Sequence, residues 1–281
     1  VARPFYKWPG SKVWLVEILS PYLKNIASLR VVEPFAGSAA FFLGSTAQRA
    51  LLGDTNLHVA HALEGVRDGA SKVIKNLRKL SNTKEVYSEV RNSTPRSKFS
   101  AAARLIYLTN TSWGGLYREN KLGKFNVPFG NNGRSFYSVE IIKEASTKLA
   151  GCEIHNQNYR KTLASIRKKD FIFVDAPYVT KRSAEFFDRY HASKFSWDDQ
   201  VELAELLQSG RALGKPILVT CAADPDLYAL FPGWAVVEFF KRNSMTAKDK
   251  LGYRREALLL SSELSSLAEA LAQDGIGERV R

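Results

Sequence analysis

Short apolar runs that stop abruptly at an acid or a small polar residue recur along this chain, and they constrain its fold more than any other feature. Residues 29–32 lead into Glu33 and a glycine-containing turn, residues 50–53 stop at Asp54, residues 171–174 stop at Asp175, and residues 216–220 lead into Cys221. Apolar runs this short suit buried strands. Residues 153–156 form a weaker candidate, and residues 234–240 and 257–261 are two more. Helical signals lie between them. Residues 39–46 read as a helix start, and Ser196 followed by Asp199 forms a capping-box-like pair, opening a helix that runs through Leu207 and closes at Gly210. From Glu263 onward the chain reads as a small helix and a polar tail. Strands alternating with helices predict an α/β protein with a mostly parallel sheet. Ligands of such sheets bind beyond the carboxyl ends of the strands. The candidate functional residues are therefore 33–38, Asp54, 175–178 and Thr220-Cys221.

The middle of the chain departs from this pattern. From Val59 to about Leu108 apolar residues recur at helical spacing among many Lys and Arg, which predicts a helical, basic insertion. Residues 58–147 hold 15 Lys/Arg against 7 Asp/Glu, within a chain whose net charge is +13. A basic domain of this kind suits a polyanionic partner. A hydrophobic content of 45% over 281 residues supports one large core, or a core with one inserted lobe. There is no apolar run long enough to span a bilayer and no secretory-type segment, so a cytoplasmic location is expected. Cys152 and Cys221 lack metal-ligand spacing, His155 and His191 stand alone, and His58 and His61 have no further ligand near them in sequence. No metal site is expected.

Four segments carry chemistry. In VVEPFAGSAAFF (31–42) a strand feeds a small-residue turn and a helix, leaving backbone N–H groups open beside a ligand. Gly37 and Ser38 allow a ligand to approach closely, although many strand–turn–helix connections look alike. In LLGDTN (51–56) Asp54 ends the second strand, where a carboxylate either accepts from ribose hydroxyls or caps the helix that follows. In FIFVDAPY (171–178) Asp175 and the carbonyl of Ala176 could accept hydrogen bonds from an amino group. There Pro177 restricts the backbone and Tyr178 offers a face to a flat ring; the alternative is an ordinary strand end with a turn proline. In SWGGLYRENKLGKFNVPFG (112–130) aromatics interleave with Arg118, Lys121 and Lys124, and residues 120–123 resemble a hairpin turn. Such a hairpin suits duplex DNA, with cations meeting phosphate or guanine and a ring wedged into the stack. The alternative is a structural hairpin whose Trp113 and Phe125 pack in the core.

Together these residues resemble the Dam-type DNA adenine methyltransferases of the α arrangement. KWPGSK (7–12), EPFAGS (33–38), GLYRENKLGKFNVPFG (115–130) and DAPY (175–178) match that family in order. The resemblance implies a Rossmann-like, S-adenosylmethionine-dependent methyltransferase sheet with an inserted, mainly helical DNA-recognition domain bearing a β-hairpin. It implies a catalytic domain of residues 1–57 and 148–270, a recognition domain of residues 58–147, and a polar tail of residues 271–281. S-adenosyl-L-methionine would be held by Trp8, Lys12, Glu33, Phe35, Ala36, Gly37, Ser38, Asp54 and Asp175. Asp175, Ala176, Pro177 and Tyr178 would form the catalytic tetrapeptide around an adenine flipped from double-stranded DNA. Trp113 would enter the duplex and Arg118 would read guanine. Asn120 and Asn126 would add polar contacts, and Pro128 would touch a thymine methyl.

A GATC-like target, a monomer in solution, no membrane and a bacterial or phage-infected host complete the expectation. The chain differs from the family pattern at Ala176, in place of the first proline of Asp-Pro-Pro-Tyr, and at Ala39, in place of a second glycine. It also differs at Gly114 and at Asn131-Asn132-Gly133. Ala176 raises a second reading, a DNA-binding protein of this fold whose transfer activity is weakened or lost. Two basic loops, 181–194 and 241–255, are further expected to clamp DNA.

Overall fold

The computed structural model describes residues 1–130, 135–181, 195–242 and 253–281. Eight strands are present among them: β1 (Arg30–Glu33), β2 (Arg49–Asp54), β3 (Cys152–Asn156), β4 (Asp170–Val174), β5 (Ile217–Ala222), β6 (Ala235–Arg242), β7 (Tyr253–Leu260) and β8 (Glu278–Arg279). Their order is β3-β2-β1-β4-β5-β7-β6-β8. The first five follow the doubly wound 3-2-1-4-5 order of Rossmann-like sheets. The α/β class expected from the alternating sequence pattern is present, and each apolar run read as a strand is one. The chain divides into two compact units.

The first unit comprises Val1–Arg30 and Ala36–Gln157. Here β2 and β3 pair in parallel from Ala50↔Cys152 to Asp54↔Asn156, so Asp54 and Asn156 share the carboxyl end of the pair. The Asn156 amide donates to the carbonyls of Asp54 and Thr55, both at 3.0 Å. The helices are α1 (Val13–Leu19), α2 (Ala40–Gly44), α3 (Leu57–Leu77), α4 (Lys84–Asn92), α5 (Lys98–Thr111) and α6 (Val139–Leu149). Sequence-local caps start four of them, α6 included, where Ser138 accepts from the Ile141 amide. Asn56 accepts from the His58 amide, Thr83 from the Val86 amide, and Ser97 exchanges bonds with Ser100. The basic segment after β2 is thus largely helical, with Val59, Leu63, Val66, Val73 and Leu77 of α3 buried and many of its Lys and Arg at the surface.

The contact between α3 and α5 is close because Gly65 has no side chain. A Cβ there would lie 2.7 Å from the Lys98 carbonyl oxygen and 2.8 Å from the Ala102 Cβ. Gly65→Val is expected to destabilise the protein by about 1–3 kcal/mol through overpacking. Denaturant unfolding of the variant against wild type measures it, and an unchanged midpoint would contradict this account of the packing.

The second unit comprises Val31–Phe35 and Asn158–Arg281. β4 pairs with β5 in parallel, and β7 lies antiparallel between β5 and β6. Among the described residues its helices are α7 (Tyr159–Ala164), α8 (Trp197–Gln208), α9 (Pro225–Ala229) and α10 (Ser265–Gln273). The Ser196–Asp199 pair is a true capping box at the start of α8, with both reciprocal bonds made. The sequence shows no element in the last few residues. Nevertheless Glu278 and Arg279 pair with β6, and the Arg281 guanidinium donates to the carbonyls of Tyr228, Phe231 and Trp234. A two-residue strand has no alternation to read. Among the described residues no helix is long and apolar enough to cross a membrane, and no group of three or more His, Cys, Asp or Glu could hold a metal ion.

Candidate active site

In the first unit, the turn after β1 closes against the end of β2. The Gly37 amide donates to Asp54 Oδ2 at 2.9 Å, and the Asn56 amide donates to Oδ1 at 2.8 Å. Tyr6 Oη donates to the Gly37 carbonyl at 2.6 Å, and the hydroxyls of Ser11 and Ser38 are 3.0 Å apart. Gly37 has φ +47°, and a Cβ there would lie 2.7 Å from Trp8 Cδ1. Only glycine lets the indole rest on this turn. Trp8 opens its own turn, in which Ser11 N donates to its carbonyl and buried Lys12 Nζ donates to the Gly10 carbonyl at 2.8 Å. The structure gathers Trp8, Lys12, Ala36, Gly37, Ser38 and Asp54 around one turn.

Burial raises the Asp54 pKa above the ordinary carboxylate value, and its two amide donors oppose the shift with smaller effect. Each carboxylate oxygen accepts two hydrogen bonds, so one amide on each leaves acceptor capacity on both. Ala39 has φ +51°, the one non-glycine residue with positive φ among those described. The left-handed conformation costs an alanine about 1–2 kcal/mol. Its methyl is fully buried, which returns about 0.8 kcal/mol. Alanine can thus stand where the resembling family carries glycine.

The hairpin belongs to the same unit. Asn120 N donates to the Lys124 carbonyl at 2.9 Å, Asn126 N donates to the Arg118 carbonyl at 3.0 Å, and Glu119 bridges Phe125. Asn120 Oδ1 accepts from the amides of Leu122 and Lys124, so this side chain builds the turn itself. Arg118 Nε donates to Asn126 Oδ1 at 2.8 Å, and Trp113 N donates to the Pro128 carbonyl at 2.9 Å. Arg118 and Pro128 are exposed, Trp113 is 62% exposed and Phe125 is buried. Of the two aromatics that a purely structural hairpin would bury, only Phe125 is buried.

Tyr117 gives the sequence no signal, yet it joins the hairpin to the Trp8 ring that rests on the Gly37 turn. Its ring lies 4.7 Å from that of Trp8 and 5.6 Å from that of Phe125, centre to centre. Its hydroxyl donates to Glu119. Burial, followed by the Glu119 contact, pushes its phenol well above the usual value. His58 Nε2 stands 3.8 Å from Glu119. Its pKa is lowered, first by burial and then by Arg104, against the opposing pull of Glu119.

In the second unit, the buried strand β4 delivers Asp175 at its carboxyl end. Asp175 Oδ1 accepts from the Thr220 hydroxyl at 2.6 Å. Ala176 is buried, Pro177 is exposed, and Val179 N donates back to the Pro177 carbonyl at 3.0 Å. The Tyr178 hydroxyl donates to Glu256 Oε2 at 3.4 Å. Burial, and then the charges of Asp175 and Glu256, push the Tyr178 phenol far above its ordinary value, so the ring stays neutral across the working pH range. Cys221 is buried with its thiol pushed up by that burial, which disfavours the reactive thiolate.

Glu33 is buried at the end of β1. Phe35 stacks on Tyr159, 5.5 Å between centroids at 23°, and meets the edge of Phe195, also at 5.5 Å. Arg160 lies 4.6 Å over the Tyr159 ring. Tyr159 and Phe195 escaped sequence reasoning because they meet Phe35 only in the fold. Residues 182–194 and 243–252 of the two basic loops, and Asn131-Asn132-Gly133, lie outside the described residues.

The strand order, the glycine turn facing a strand-end carboxylate, and a second strand-end acid followed by proline and tyrosine define a Rossmann-like α/β protein. The chain belongs to the D12 class N6 adenine-specific DNA methyltransferase family, which it matches over residues 8–233. It is similar to a type II methyltransferase of Lactococcus lactis subsp. cremoris, with 28% identity over 243 residues, or 82% of this chain and 85% of the relative. It is also similar to the DNA adenine methylase of Salmonella typhi, with 28% identity over 224 residues covering 78% and 80% of the two chains. The DNA adenine methylase of Vibrio cholerae is 27% identical over 267 residues, covering 92% and 95%. The Dam-type resemblance drawn from four short segments therefore holds across most of the chain, and the enzyme is an adenine-specific DNA methyltransferase.

Proposed function

We propose that this enzyme transfers a methyl group from S-adenosylmethionine to N6 of an adenine extruded from duplex DNA at a GATC-like site. The Thr220-anchored carboxylate of Asp175 at the end of β4 carries this reading. The turn of the first unit fits the cofactor. Gly37 brings backbone rather than side chain to the ligand, and half-buried Asp54 keeps acceptor capacity for both ribose hydroxyls. Glu33, Phe35, Ala36 and Ser38, with Trp8, Lys12 and Asp175, complete the proposed cofactor set. Bound S-adenosylmethionine supplies an electrophilic methyl group.

The remaining work falls to this chain's residues. The N6 lone pair of adenine is conjugated into the ring and is a poor nucleophile. Asp175 and the Ala176 carbonyl accept the two N6–H bonds and favour a pyramidal nitrogen. Positive charge develops on N6 as the methyl–sulfur bond breaks to leave a neutral thioether, the Asp175 carboxylate stabilises that charge, and loss of one N6 proton to solvent gives the neutral methylated amine. Extrusion costs a few kcal/mol, which stacking on Tyr178 partly offsets. Trp113 fills the stack, and Pro128 meets a thymine methyl. Asn126 holds Arg118 by its Nε, which directs the two terminal nitrogens of the guanidinium to guanine.

Three outcomes test these roles. Arg118→Ala is expected to cost about 1–3 kcal/mol of discrimination at one base pair and to relax specificity there. Competition between cognate and singly substituted duplexes reads this, and an unchanged preference would refute the assignment. Ala176→Pro is expected to raise kcat about 2–5-fold, the equivalent of about 0.4–1 kcal/mol of restored backbone restriction. An equal or lower rate would count against the looseness assigned to this loop. Transfer of labelled methyl groups to N6 of adenine in duplex DNA tests the reading as a whole, and binding without transfer would favour the weakened-activity alternative.

The raised Asp54 pKa sets the third outcome. A folded value above the unfolded one means that Asp54 favours folding most at low pH, and that this contribution fades as pH rises through the folded value. Ligand binding has the opposite dependence, because the ionised form is the better acceptor for two hydroxyls. Cofactor affinity is therefore expected to weaken on acidification, beginning above the ordinary carboxylate value of about 4. Calorimetry from about pH 8 to about pH 5 checks this, with Asp54→Asn giving a flat profile. Parallel profiles for wild type and variant would contradict it.

A further inference from the structure

We infer that Thr220 is a positioning residue for methyl transfer, its buried hydroxyl anchoring the carboxylate of Asp175 at the head of the catalytic tetrapeptide. This rests on the proposed role of Asp175. Thr220 ends the apolar stretch of β5, which is flanked by β4 and β7, and its side chain is 2% exposed. Its Oγ1 lies 2.6 Å from Asp175 Oδ1 and 3.4 Å from the Val174 carbonyl. A hydroxyl has one proton, and the short bond to the carboxylate takes it, as charge-assisted bonds are the stronger. The Tyr178 hydroxyl, at the other end of the tetrapeptide, is directed to Glu256 at 3.4 Å.

The bond to Oδ1 fixes the rotation of the Asp175 carboxylate plane about Cβ–Cγ. Threonine suits this task because its branched side chain has few rotamers in a strand, so the hydroxyl is placed before substrate arrives. The anchor has particular weight here because Ala176 leaves the first backbone position of the loop without a proline ring. Where the backbone is less restricted, the hydrogen bond to its first side chain helps to hold its shape.

Thr220→Val keeps the shape and removes the donor. It is expected to lower kcat on the order of 10-fold or more, as befits a lost hydrogen bond to a charged group. KM for DNA and the dissociation constant for S-adenosylmethionine should stay within about 2-fold, because the turn and hairpin residues are untouched. Thr220→Ser keeps the hydroxyl and is expected to recover most of the rate. The Thr220→Val loss should also shrink when Ala176→Pro is present, a coupling that a double-mutant cycle reads directly.

Thermal unfolding of each variant accompanies the kinetics. If Thr220→Val does not fold, Thr220→Cys, with a weak donor in nearly the same volume, replaces it with the same expected direction. A Val variant as fast as wild type would overturn the inference, and so would a Ser variant as slow as Val. A wild-type enzyme that transfers no methyl group would instead defeat the proposed function, which keeps the two failures distinct.

Discussion

Asp175→Ala is expected to lower kcat for adenine methylation about 10²–10³-fold, a loss of about 3–4 kcal/mol of transition-state stabilisation. The carboxylate is the only charged group of the tetrapeptide and sits at the carboxyl end of a fully buried strand. Its effect comes from charge that develops on N6 during transfer and is absent from the resting amine, so the loss belongs in kcat. The protein should still fold, since the substitution removes a carboxylate whose charge, together with that of Glu256, bears on the Tyr178 phenol. Cofactor affinity should change far less than the rate, because Gly37 and Asp54 keep their mutual bond. Single-turnover transfer of labelled methyl, with calorimetry for the cofactor, separates the two effects. A variant with the wild-type rate would remove Asp175 from the mechanism.

Gly37→Val has the second large effect, on binding rather than chemistry. At φ +47° any side chain is strained, and its Cβ would also meet Trp8 Cδ1 at 2.7 Å. The left-handed conformation alone costs about 1–2 kcal/mol. Trp8 cannot yield without disturbing its stack on Tyr117, 4.7 Å away. Cofactor affinity is therefore expected to fall on the order of 100-fold or more, and DNA affinity should fall with it because Tyr117 belongs to the hairpin. Gly123→Ala provides the comparison: it also has positive φ, at +70°, but a Cβ there meets nothing within 4 Å. It should weaken DNA recognition alone. If Gly37→Val bound S-adenosylmethionine as wild type does, the turn would not be the cofactor site.

Strand ends were legible because they are local events. An apolar run that stops at Asp54 or Asp175 records where the buried sheet meets its edge, and the Ser196–Asp199 capping box records a helix start within four residues. The family segments pointed to Trp8, Gly37 and Arg118 by the same local reading. What stayed hidden depends on partners far apart in the chain. Tyr6 bonds Gly37 across 31 positions, Asp175 is bonded by Thr220 across 45, and Tyr178 meets Glu256 across 78. No periodicity announces such pairs. Thr220 was noticed as a strand end, but its partner could not be read. Asn120 shows the converse: a polar residue in a DNA-reading segment turns out to shape the hairpin with its own side chain.

The most direct measurement is to incubate the enzyme and its Asp175→Ala variant with labelled S-adenosylmethionine and mixed-sequence duplex DNA, then map every modified base. The account predicts N6-methyladenine at one short recurring sequence for the wild type and almost none for the variant. Methyl groups on another base, or equal methylation by both proteins, would contradict it.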